Sequence, residues 1–222
     1  MIVSISHKAL LISFKEDKVK AKAALRTFGI CAGICSGIIF LGCNDEGEVK
    51  VSQGSNTQKS HIEQAESLDK ASYAGLEDVF LDTKNIFADK NKVTLLVFGK
   101  NNCVYCDKLK DDIKDNATLK NMLQSQFVPY YINTSYSKVH NLTFGDSKTS
   151  LNTAALTESY VKSPMRPTPT LVFLDFQGKK IYELPGYIPS SQLLILLEYM
   201  QSHSWENKKE EQIAREINNA FS

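Results

Sequence analysis

An α/β sandwich around a mixed central sheet is the fold class this sequence predicts, and three observations predict it. Strand-length apolar runs, VTLLVF (93–98), FVPYYIN (127–133) and TLVFLD (170–175), are separated by stretches with helical periodicity. The last run is followed by the turn QGKK and by IYEL (181–184), close enough to form an antiparallel hairpin. The 222 residues, 42% hydrophobic and 23% charged, allow one or at most two domains with a sizeable core. A net charge of +1 gives no electrostatic reason to propose nucleic acid as a partner.

The N-terminal 42 residues carry six Lys and Arg against two acids, Glu16 and Asp17, and lead into TFGICAGICSGIIFLGC (27–43), which has no charged side chain. As a helix that run is about 24 Å long, short for a bilayer core of about 30 Å, so it reads as a secretory signal core. Its end, Phe40-Leu41-Gly42-Cys43, resembles a bacterial lipobox, with Gly at −1 and Cys at +1 but Phe40 and Leu41 in place of the usual Leu and small residue. Diacylglyceryl attachment at Cys43, an uncleaved anchor and an ordinary cleaved signal all deliver the chain outside the cytoplasm, to the periplasm. Domain boundaries follow: 1–43 targets or anchors, 44–71 is a flexible polar linker, 72–203 is the folded domain, and 204–222 is a charged helix or tail. The linker assignment rests on the scarcity of large apolar residues between Asn44 and Lys70.

Within the domain, Leu76, Val79, Phe80, Ile86 and Phe87 fall at helical spacings, predicting an amphipathic helix in YAGLEDVFLDTKNIFADK. VTLLVF follows as a strand covered on both faces. Residues 106–125 read as a helix bent near Asn116, and FVPYYIN as a strand whose Pro129 suits a sheet edge. Residues 134–149 are polar and loop-like, SLNTAALTESYVK (150–162) is helical, and 136–162 together form a helical insertion above the sheet. TLVFLD and IYEL make the hairpin, and SSQLLILLEYM (190–200) is a helix with a strong apolar stripe.

The chemistry lies in CVYC, residues 103–106. A c-type haem needs His after the second Cys, where this chain has Asp107. Structural zinc needs four ligands, and from residue 44 onward only the scattered His61, His140 and His203 could join the pair. No metal and no cofactor is therefore expected. A dithiol that opens and closes fits better. Cys103 stands where a strand gives way to a helix, with Asn101 or Asn102 available as N-cap, so the helix dipole and free N–H groups favour its thiolate over that of Cys106. An inert disulfide is the alternative, though so short a loop would add little stability. A second feature is Arg166-Pro167-Thr168-Pro169-Thr170 before the strand TLVFLD, where a cis-proline would leave the preceding backbone open to a substrate chain.

Taken together, the apolar strand, the Cys-x-x-Cys at a helix start and the Thr-Pro before TLVFLD resemble the thioredoxin-like family over roughly residues 72–203. RPTPTLVFLDFQGKKIYELPGYIPSSQLLILLEYM looks especially like SoxW-type and related periplasmic members. The resemblance implies a thioredoxin-like fold, Cys103 as nucleophile, Cys106 as resolving thiol, and a substrate-binding surface of Thr168, cis-Pro169, Val104 and Tyr105. It also carries departures. Asn102 stands where cytosolic thioredoxins have Trp, and Val97 where they keep a buried acid. A Tyr before the second Cys with Thr before the cis-Pro is closer to the DsbC isomerase pattern, although no dimerisation domain precedes it and a monomer is expected. The function implied is reduction or isomerisation of disulfides in exported proteins, with apocytochrome c one candidate substrate by similarity to CcmG-type reductants. A membrane reductant of the DsbD or CcdA kind is the implied partner. The competing readings are a DsbA-like oxidase and a non-enzymatic lipoprotein that uses the fold as a binding scaffold.

Overall fold

The computed structural model describes residues 55–222. The targeting segment 1–43, with the lipidation assigned to Cys43, and the first part of the linker lie outside the described residues. Among the described residues no helix is long and apolar enough to cross a membrane. The chain runs α1 (Ser55–Ala71), β1 (Asn85–Phe87), β2 (Val93–Gly99), α2 (Val104–Asp115), α3 (Ala117–Gln126), β3 (Phe127–Asn133), β4 (Val139–Phe144), β5 (Ser147–Asn152), α4 (Thr153–Tyr160), β6 (Thr170–Leu174), β7 (Lys180–Pro185), α5 (Ser190–Gln201) and α6 (Glu210–Ala220).

The central sheet has the order β3-β2-β6-β7, with β3 parallel to β2 and the other neighbours antiparallel. All seven residues of β2 are buried, because successive side chains feed opposite cores. Val93, Leu95 and Val97 join Leu171 and Phe173 against Leu109, Ile113, Leu193, Leu196 and Ile217 from the helices on one face. Leu96 and Phe98 join Val172 and Leu174 on the other, where the cover is a second sheet, β1-β4-β5, contributing Ile86, Leu142 and Phe144, with Leu156 from α4. Both Pro129 and the bend at Asn116 are where the sequence places them. β3 is an edge strand, and the Pro129 carbonyl accepts a bond from Leu81 N–H (2.9 Å). Asn116 ends α2 and caps α3, its Oδ1 accepting from Leu119 N–H (3.1 Å).

Three expectations are corrected, and the C-terminal segment, read as helix or tail, is a helix. Residues 73–90 form turns and the short β1 instead of a helix. Gly75 at φ +82° breaks the winding, and Asp82 and Asp89 turn the chain by accepting from Lys84 and Asn91 N–H. The helical spacing of Leu76, Val79 and Phe80 survives as a single turn that drops all three into the core. Residues 134–149 are not a loop, since 139–144 and 147–152 pair as a hairpin about Gly145, so the insertion is a hairpin followed by a helix. The part of the linker from Ser55 to Ala71 is helix α1, anchored by the buried Asp69. The C-terminal segment packs on the domain, with Ile213 and Ile217 in the first core and Glu210 Oε1 accepting from Glu183 N–H (3.1 Å) along β7.

His140 of β4 is fully buried, with Nδ1 2.7 Å from the Thr83 carbonyl and Nε2 3.1 Å from Thr153 Oγ1. The carbonyl can only accept, so Nδ1 carries a proton. Burial, reinforced by the Lys138 charge, holds its pKa below the usual histidine value. The unfolded chain therefore binds a proton near pH 6.5 that the folded chain refuses, so stability is full above that pH and falls as pH drops below it. We expect wild type to lose stability relative to His140→Asn between pH 7.5 and 5.5, by at most about 1.4 kcal/mol per pH unit. Urea unfolding at several pH values measures this, and parallel curves for the two chains would contradict it.

Candidate functional site

β2, an interior strand, delivers the chain to the end of the sheet and stops at Gly99, whose missing side chain is required. A Cβ there would lie 2.1 Å from Tyr131 Oη, on the paired strand. The turn that follows is pinned by amides, not left to solvent. Asn101 N–H donates to Ser135 Oγ (2.9 Å), its Nδ2 donates to Tyr136 Oη (2.8 Å), and Asn133 Nδ2 donates to Asn101 Oδ1 (2.8 Å). Asn102 takes φ +53°, a left-handed conformation that Asn tolerates. Neither asparagine caps α2. Cys103 does so itself, with extended backbone and Sγ accepting from Cys106 N–H at 3.1 Å.

Cys103 and Cys106 are joined as a disulfide. Across from them the Thr168–Pro169 peptide is cis, and Cys103 Sγ lies 3.4 Å from both the carbonyl oxygen and Oγ1 of Thr168. The two motifs, 65 residues apart in sequence, thus form one site. The sulfurs differ in access: Cys103 is 6% exposed and Cys106 1%. Val104 and Tyr105, between the two sulfurs in sequence, are exposed, and in the segment before Thr168 Met165 at 88% is the most exposed large apolar residue described.

Three groups of the site received no role from the sequence, though all lie in the segment that carries the resemblance. Glu183, buried on β7, accepts from the backbone N–H of Lys162 (2.9 Å) and Ser163 (3.0 Å), where the loop toward Thr168 begins, and from Lys180 Nζ (3.0 Å). Burial alone would raise its pKa, but these donors outweigh it and hold the carboxyl below the usual range. Gly186 N–H donates to the Pro169 carbonyl (2.8 Å), which fixes the far side of the same loop. Tyr187 stacks on Tyr105, the rings 5.8 Å apart and 22° from parallel, and donates to Asp112 Oδ2 at 2.8 Å. That bond, together with burial, raises the Tyr187 pKa. Lys100, three residues before Cys103, is exposed.

A cysteine sulfur at a helix N-terminus, a second one turn inside, and an open backbone beside the first can together exchange disulfides with a bound polypeptide. The thioredoxin-like domain profile matches residues 80–201. A thioredoxin-fold protein from Helicobacter pylori is 39% identical, over 68% of this chain and 95% of its own, with a TM-score of 0.62. A disulphide isomerase from Xylella fastidiosa Temecula1 is 15% identical over 78% of this chain and 95% of its own (TM-score 0.32). A thioredoxin from Thermus thermophilus is 16% identical over 53% and 86% (TM-score 0.35). No curated protein matches the chain.

Proposed function

The chain belongs to the thioredoxin-like domain family, and from that premise we propose that it is a periplasmic thiol-disulfide oxidoreductase that reduces or isomerises disulfides of exported proteins. The observation that carries the reading is the position of Cys103 Sγ, at the first turn of α2 and 3.4 Å from the Thr168 carbonyl. In the reduced enzyme the helix dipole and the Cys106 N–H stabilise a Cys103 thiolate. That thiolate attacks one sulfur of a substrate disulfide held along Thr168 and Pro169. The substrate S–S bond breaks, one substrate sulfur leaves as a thiolate and takes a proton, and a mixed disulfide to Cys103 remains. Cys106, once deprotonated, attacks Cys103 Sγ and releases the second substrate thiol. Two electrons have passed to the substrate, and the enzyme is left with its Cys103–Cys106 disulfide.

A further cycle needs a dithiol donor, for which a membrane reductant of the DsbD or CcdA kind is the proposed partner. Delivery by the 1–43 segment, with lipidation at Cys43 or an uncleaved anchor, would hold the enzyme beside that donor. Apocytochrome c, whose haem-binding thiols must stay reduced, is one proposed substrate.

Catalysed reduction of insulin is the test. Precipitation of the insulin B chain faster than dithiothreitol alone, with a reduction potential well below about −120 mV, supports the proposal. A potential at that value would identify a DsbA-like oxidase, and a chain no faster than dithiothreitol would leave only the scaffold reading.

A further inference from the structure

Tyr105 is the residue directly before Cys106 and is 56% exposed, yet its ring is not free. Tyr187 lies against it in a stacked geometry, and Lys108 Nζ sits 5.4 Å from its ring centroid. Tyr187 is itself held at three points. Gly186, at φ +92°, bonds the Pro169 carbonyl through its N–H; the Tyr187 ring meets Tyr105; and the Tyr187 hydroxyl reaches Asp112, in the third turn of α2. The dipeptide Gly186-Tyr187 therefore touches both the cis-proline loop and the helix that carries the dithiol. The pairing of β2 with β6 and the contact of Cys103 Sγ with Thr168 already set the two motifs side by side, and the Tyr187 ring adds a tie at their outer rim.

We propose that Tyr187 is a positioning residue that sets specificity, by holding the Tyr105 ring as a fixed surface on which apolar side chains flanking a substrate cysteine rest. The inference builds on the thiol-disulfide reading above. A surface tyrosine without a neighbour would sample several rotamers, and each substrate would meet the cost of ordering it. Stacked on Tyr187, it is ordered before the substrate arrives. With the exposed Val104 it gives the outer rim of the site an apolar character that suits a polypeptide and is of no use to a disulfide lacking a chain.

The test measures kcat and KM of the full chain with insulin and with bis(2-hydroxyethyl) disulfide. For Tyr187→Ala the insulin KM is expected to rise about fivefold, the size of one lost aromatic stack. The preference for insulin over the small disulfide, as a ratio of kcat/KM values, should fall by the same factor. Tyr187→Phe, which keeps the ring and loses the bond to Asp112, should restore that ratio to within about twofold. Tyr105→Ala gives an independent route to the same loss, and adding Tyr187→Ala to it should cause no further fall. An unchanged ratio in Tyr187→Ala, an equal loss on both substrates, or a Tyr187→Phe chain that behaves like Tyr187→Ala would overturn the proposal. A wild-type chain that reduces neither substrate would instead bring down the oxidoreductase reading beneath it.

Discussion

Replacing Cys103 with Ser is expected to abolish insulin reduction, with a fall of about a thousandfold or more, whereas Cys106→Ala should stop turnover one step later and accumulate covalent adducts. The asymmetry follows from where the two sulfurs sit. Cys106 is 1% exposed and lies inside the first turn of α2, so it cannot reach a substrate sulfur directly and acts only by attacking Cys103. A hydroxyl at position 103 would keep the cap on Cys106 N–H but is a far weaker nucleophile at neutral pH, so no mixed disulfide forms. With Ala at 106 the first displacement is intact and nothing resolves its product. Adducts between the chain and its substrates then appear on a non-reducing gel and collapse with dithiothreitol.

The same pair of variants separates the two proposed directions. Isomerisation can end with a substrate thiol displacing Cys103, so Cys106→Ala would still help refold a protein with scrambled disulfides while failing on insulin. Reduction needs Cys106 at every turnover. Retention of wild-type insulin turnover by either variant would remove the dithiol from the mechanism.

How far the sequence exposes all this depends on what each residue hides. β2 is legible because both faces of a central strand are apolar, and the site is legible because Cys-x-x-Cys and Thr-Pro each sit beside a strand. β4 alternates buried and exposed residues regularly, but its buried set is His140, Leu142 and Phe144, and a histidine does not count as apolar until Thr83 and Thr153 are seen to satisfy it. The C-terminal helix buries only Ile213 and Ile217, two residues in a charged stretch. Tyr187 stands in plain view in LPGY, yet nothing in the chain order says that its ring meets Tyr105, 82 residues earlier. Such contacts belong to tertiary geometry, which periodicity does not report.

Helix α1 is the extreme case, because the one buried residue described in it is charged, and the surface ion pairs Lys70–Asp82 and Glu66–Lys84 tie it further. Asp69 is almost completely buried, with Oδ2 accepting from Thr83 Oγ1 (2.6 Å) and Lys138 Nζ (3.0 Å) and Oδ1 accepting from Asn133 N–H (3.3 Å). The Lys138 side chain is 5% exposed. In sequence the same aspartate reads as one more solvated charge in a polar linker. We expect Asp69→Ala to cost about 3–5 kcal/mol, since it takes the acceptor from the Thr83 hydroxyl and leaves the buried Lys138 ammonium only the half-exposed Asp82 carboxylate, 3.9 Å away. Against a total stability of about 5–15 kcal/mol, that leaves the variant marginal at 37 °C. Combining it with Lys138→Met should recover part of the loss, because no unpaired charge remains. A chain beginning at Ser72 should lose at least as much as Asp69→Ala. The effect should reach the dithiol, because Asn133, which Asp69 holds by its backbone, holds Asn101 by its side chain, two residues before Cys103. Urea unfolding of the three chains provides the measurement, and a loss below about 1 kcal/mol for Asp69→Ala would show that the carboxylate anchors nothing.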